Sequence, residues 1–131
     1  MQDPGAGEHF VVTLSHLTIT GGRTRREGEG GAGISAAIGY AHLELDHVTV
    51  TGNHAAAGGA AIGGFFYDIF MSNSTVAGNS AAGIDGFYVT VVRSTIADNG
   101  GSGVSALRGL YMHKTTVSGN IGDGISGEGV F

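Results

Sequence analysis

The groups in this chain that could do chemistry are eleven carboxylates, six Lys and Arg, six His and a recurring set of threonines and aromatics. General acid–base work needs carboxylates and a cation within hydrogen-bond reach of one another. A metal centre needs several donors converging on one point. Asp46, Asp85, Asp98 and Asp123 are the outward acidic candidates, Arg93 and Lys114 the cations, and His47 follows Asp46 directly. Thr18-x-Thr20 and Thr49-x-Thr51 each put two hydroxyls on one side of a strand. Phe70, Tyr88 and Tyr111 offer flat apolar faces on which sugar rings can stack. Which of these groups meet depends on the elements that carry them.

Those elements are written in a repeat. The heptapeptide "HVTVTGN" at 47–53 returns as "HLTITGG" at 16–22, "NSTVAGN" at 73–79, "RSTIADN" at 93–99 and "KTTVSGN" at 114–120. Aligned on Thr18, Thr49, Thr75, Thr95 and Thr116, each copy extends backwards as apolar-x-apolar-x-x-small-Thr-apolar. The columns are Val12, Leu43, Ile69, Val89, Leu110; then Leu14, Leu45, Met71, Val91, Met112; then Ile19, Val50, Val76, Ile96, Val117. A fourth column, Ile34, Ile62, Ile84, Val104 and Ile125, follows each turn. Period-two alternation with β-branched residues predicts three short strands per unit. One unit cannot bury its inner face, but stacked copies can. The expectation is an all-β parallel β-helix of about five coils, anchored near 12–42, 43–68, 69–88, 89–109 and 110–131, in a single domain spanning 1–131. The first two coils carry insertions, "GGRTRREGEGG" and "HAAAGGAA", expected to bulge after the Thr-bearing strand.

Asn53, Asn79, Asn99 and Asn120 form a further column, with Gly22 in the first coil, and are read as a structural ladder of stacked amides. The 26 glycines suit many tight turns, and no Gly-x-y period suggests collagen. A net charge of −5 without a basic face argues against a nucleic-acid partner. The absence of Cys removes disulfides and thiolate metal sites. The longest apolar stretch, 55–67, is Gly-broken and too short for a spanning helix, which needs roughly 20 residues. The N-terminal "MQDPGAGEH" lacks the basic and apolar regions of a secretion signal, so an exported chain would have lost or replaced it.

The "STVAGNSAAGI" and "TTVSGNIGDGI" units resemble right-handed parallel β-helix repeat proteins of the pectate-lyase-like superfamily. "GGAAI" at 58–62 and "VAGN" at 76–79 are also similar to the repeats of polymorphic outer-membrane and autotransporter passenger proteins, with Val in place of Phe. The resemblance implies the right-handed sense and a secreted or cell-surface location. It also implies what an enzyme of this superfamily would need, which is several carboxylates and an Arg or Lys on one face. Here the carboxylates fall in different columns, and Arg93 and Lys114 share theirs with Asn73, His47 and His16.

The expectation is therefore a non-catalytic scaffold or binding domain, its ligand a polysaccharide or a surface protein. No catalytic residue, metal set or cofactor is assigned; His16 and His47 are read as a stacked surface pair. Phe70, Tyr88 and Tyr111 are the carbohydrate-stacking candidates, while Phe65, Phe66, Tyr67 and Phe87 are expected to cover turns or pack beneath the inserted loops. One alternative is a small member or fragment of a polysaccharide lyase, hydrolase or epimerase. Another is ice binding through Thr18, Thr20, Thr49, Thr51, Thr75, Thr95 and Thr116, as in ice-binding β-solenoids. Neither "QDPGAGEH" nor "SGEGVF" reads as a cap over the unpaired strand edges, which suggests a longer solenoid, end-to-end self-association, or edges blunted by Gly and Glu.

Overall fold

The computed structural model describes residues 10–26 and 30–127; the segment "QDPGAGEH" and residues 128–131 of the tail lie outside them. The strands are β1 (Phe10–Ile19), β2 (Gly31–Thr51), β3 (Ala60–Ser72), β4 (Thr75–Ala77), β5 (Ala82–Val92), β6 (Thr95–Ala97), β7 (Val104–His113), β8 (Thr116–Ser118) and β9 (Ile125–Gly127). Every ladder between them is parallel. The chain winds as a solenoid with three faces. The first face takes residues 10–15, 41–46, 68–72, 88–92 and 109–113. The second takes 17–19, 49–51, 75–77, 95–97 and 116–118. The third is built from the starts of β2, β3, β5 and β7, and from β9. The winding completes about four turns.

The apolar columns stack in register. Ile19 pairs with Val50, Val50 with Val76, Val76 with Ile96 and Ile96 with Val117. The rows from Val12 to Leu110, from Leu14 to Met112 and from Ile34 to Ile125 are equally continuous. They enclose one core in which Leu43, Leu45, Val50, Ile62, Ile69, Met71, Val76, Ile84 and Ile96 are fully buried. Each such side chain contributes roughly 1.5–3 kcal/mol by leaving water. The strands are longer than the repeat suggests: β2 runs unbroken through 21 residues and crosses two corners.

The corner between the first and second faces has the same length in every rung, with Thr18 six positions after Val12 and likewise in the rungs below. Its pivot is a left-handed residue: His16, His47, Asn73, Arg93 and Lys114 all have φ between 46° and 54°. Such a residue turns the chain without the usual in–out alternation. Two consecutive side chains, such as Asp46 and His47, therefore point outward between buried Leu45 and Val48. Behind the pivot Ser74 Oγ accepts from Val48 N at 3.0 Å, and Ser94 Oγ accepts from Ser74 N at 3.1 Å.

The extra residues of the first two rungs enter at two places. Residues 20–26 and 52–59 leave the second face, as their position in the repeat suggests; residues 27–29 of the first insertion lie outside the described residues. The corner from the third face to the first also lengthens, with register shifts between Ala36 and His42 and between Ile62 and Asp68. Phe66 turns inward at that corner and joins the core.

Candidate functional site

Three surfaces carry the groups with chemical potential. On the first face, Thr13, Glu44, Phe70, Thr90 and Tyr111 form one outward row. His42, Asp68 and Tyr88 form the neighbouring row. Tyr88 belongs to β5, two positions before Thr90 on the same side of the strand. Phe70, Tyr88 and Tyr111 are 43%, 42% and 50% exposed. Tyr67, expected to cover a turn, is exposed instead, with its ring 5.3 Å from that of Tyr88 and tilted by 59°. His42 approaches the other side of Tyr67, with 5.8 Å between ring centroids. Tyr88, Thr90, Arg108 and Tyr111 line a shallow groove of about 200 Å³. Exposed rings standing on a rigid sheet present apolar area at low ordering cost.

The second surface is the left-handed corner. His47 Nδ1 lies 3.0 Å from Asp46 Oδ1, and the ring of His16 stacks on that of His47 at 4.8 Å, 19° from parallel. Asn73 donates from Nδ2 to Asp46 Oδ1 at 3.0 Å, and Arg93 donates from Nε to Asn73 Oδ1 at 3.2 Å. A polar ribbon thus climbs from Arg93 to His16. The Asn73 bond, then the bond from His47, holds the Asp46 carboxyl below the usual carboxylate range. Sequence reading placed the His pair together but left Asp46 as merely adjacent. The signal for their meeting was the doubled gap, x-x, in the repeat.

The third is the outward side of the second face. Thr18, Thr49, Thr75, Thr95 and Thr116 stack in one row, and Thr51, Ala77, Ala97 and Ser118 in the next. The paired hydroxyls therefore thin out after Thr51. Thr20 follows the end of β1 and is exposed.

The amide column lies inside the solenoid rather than on its surface. Asn99 Oδ1 accepts from Asn79 N at 3.2 Å and from Asn79 Nδ2 at 2.9 Å, while Asn99 Nδ2 donates to Val76 O at 3.1 Å. Asn53 bonds Asn79 in the same manner, Asn99 bonds Asn120, and Gly22 N donates to Asn53 Oδ1. No described buried side-chain nitrogen or oxygen lacks a partner.

The four outward acidic candidates do not gather. Asp46 stands at the left-handed corner, Asp85 on the third face opposite Ser105, and Asp98 at the amide corner. There Asp98 adopts φ 55° in the position that Gly52, Gly78 and Gly119 occupy in other rungs. Asp123 is exposed in the last turn. Asp85 opens onto a groove of about 510 Å³ edged by Ala55, Gly58, Ser80, Gly100 and Ser105. Although the residue is exposed by area, the groove wall strips water from its carboxyl and pushes its pKa up. Among the described residues, no helix is long and apolar enough to cross a membrane. A family model described as the right-handed beta helix region matches residues 8–131. No curated protein and no solved structure matches the chain.

Proposed function

The chain belongs to the right-handed β-helix family, and on that footing we propose that it is a non-catalytic binding domain of an exported or cell-surface protein, engaging an extended polysaccharide along its first face. One observation carries the reading: Phe70, Tyr88 and Tyr111 stand exposed on a single face, with Tyr67 beside them and Arg108 at the groove. Isolated exposed aromatics are ordinary, but a track of four on one rigid sheet is a stacking surface. Adjacent rungs repeat at about 4.8 Å, of the same order as one pyranose unit in an extended chain. Successive sugars and successive rungs would therefore stay in step. Arg108, Asp68 and Glu44 supply the polar contacts that fix orientation.

The test is a glycan array followed by affinity electrophoresis of the chain in neutral and acidic polysaccharides. Retardation by a polysaccharide, weakened at least tenfold by Tyr88→Ala and Tyr111→Ala, supports the reading. Retardation that both variants leave unchanged contradicts it. Cleavage of the polysaccharide would favour the enzyme alternative, whose carboxylates would then have to act without converging. A second reading rests on the unbroken threonine row of the second face. It requires thermal hysteresis that Thr49→Lys and Thr51→Lys abolish.

A further inference from the structure

We propose that His16, Asp46 and His47 form a binding site for a borderline divalent transition metal such as Zn²⁺ or Ni²⁺. One ligand atom from each of the three residues can be chosen so that all lie within 4.8 Å of one another. The sharpest part of the argument is the pair at the pivot. A separation of 3.0 Å between His47 Nδ1 and Asp46 Oδ1 matches the span of two neighbouring ligands on an octahedral ion bonded at about 2.0–2.2 Å, and a tetrahedral zinc needs them only a few tenths of an ångström further apart. A metal can take the place of the proton that now bridges them. His16 sits one rung above, in the same left-handed position, and its exposed ring would leave its 4.8 Å stack on His47 to bring a nitrogen to the same ion.

The donor chemistry selects the class. Two imidazoles and one carboxylate suit Zn²⁺, Ni²⁺ and Cu²⁺, whereas Ca²⁺ and Mg²⁺ want an all-oxygen set. The cluster also has the outer support that metal sites use. Asn73 Nδ2 and Ser72 Oγ donate to Asp46 Oδ1 at 3.0 and 3.4 Å, and Arg93 braces Asn73 in turn. Those bonds orient the carboxylate before any ion arrives. The remaining coordination positions face solvent, so water or a donor from a bound partner would complete the shell.

Titration of the full chain with ZnCl₂ and NiCl₂ in a non-chelating buffer, followed by calorimetry, tests this independently of glycan binding. The expected result is one ion per chain at micromolar affinity. His16→Asn and His47→Asn should each weaken it at least tenfold, as should Asp46→Asn. Asn is chosen because it keeps the left-handed pivot, and unchanged β-sheet circular dichroism would verify the fold. His54→Gln and His113→Gln should leave the affinity unchanged. Absence of binding at millimolar metal overturns the proposal. So does binding that survives the His16→Asn/His47→Asn double variant, or a preference for Ca²⁺.

Discussion

Asn99 is the residue on which the interior of the amide corner turns. Its side chain accepts from the Asn79 backbone and amide and donates to Val76 O and Asn120 Oδ1, with none of its surface exposed. Replacement by Ala strands several buried partners at once, each of which costs about 1–3 kcal/mol when unpaired. Asn99→Ala should therefore destabilise the fold by roughly 3 kcal/mol in urea denaturation, and a loss within experimental error would show that water repairs the ladder. Asp85 gives a pH test with a definite sign. Its folded pKa is raised by lost hydration, so its ionised form opposes folding. That cost is complete above the folded pKa and vanishes as pH falls through it towards the ordinary carboxylate value. Asp85→Asn should raise the denaturation midpoint at neutral pH, and the gap from wild type should close near about pH 3. A gap that widens on acidification would contradict the assignment.

The apolar columns are the elements most legible in the sequence, because a buried row admits one class of side chain and a rung of nearly constant length repeats it. Ile19, Val50, Val76, Ile96 and Val117 show this: each is flanked by Thr and a small or hydroxylic residue, so the inward position is unambiguous. The left-handed corner was less legible. His, Asn, Arg and Lys share no side-chain property that announces φ near 50°, and only the doubled gap marks the break in alternation. The convergence of Asp46 with His47 follows from that break, which strict alternation would have sent to opposite sides. The lengthened corner before the first face was hidden for another reason. Gly and Phe there serve a bulge whose register follows from packing rather than from local propensity. Rows in the middle of the stack should also be the most sensitive to truncation. Ile96→Ala should cost about 3–4 kcal/mol, and Ile125→Ala on half-open β9 about 1 kcal/mol, by chemical denaturation. Equal losses at both sites would argue against a continuous core.

For the molecule as a whole, fold and candidate sites follow from one geometric fact, that each rung lies in register on the last. Register puts the aromatic rows on one face, the threonines on another and the amides inside. It also joins Arg93, Asn73, Asp46, His47 and His16 across rungs that are far apart in sequence. Because the chain contains no Cys, register can be tested with introduced pairs against a silent background. Thr75 and Thr95 are opposed on β4 and β6, at the usual strand spacing of about 4.8 Å, which falls within the Cα separation of disulfides. Thr75 and Ala97 are offset by two positions. Under mild oxidation the Thr75→Cys/Thr95→Cys variant should form an intramolecular disulfide to near completion, and the Thr75→Cys/Ala97→Cys variant should stay largely reduced. Equal cross-linking of both, or preference for the offset pair, would contradict the stacked register on which the account rests.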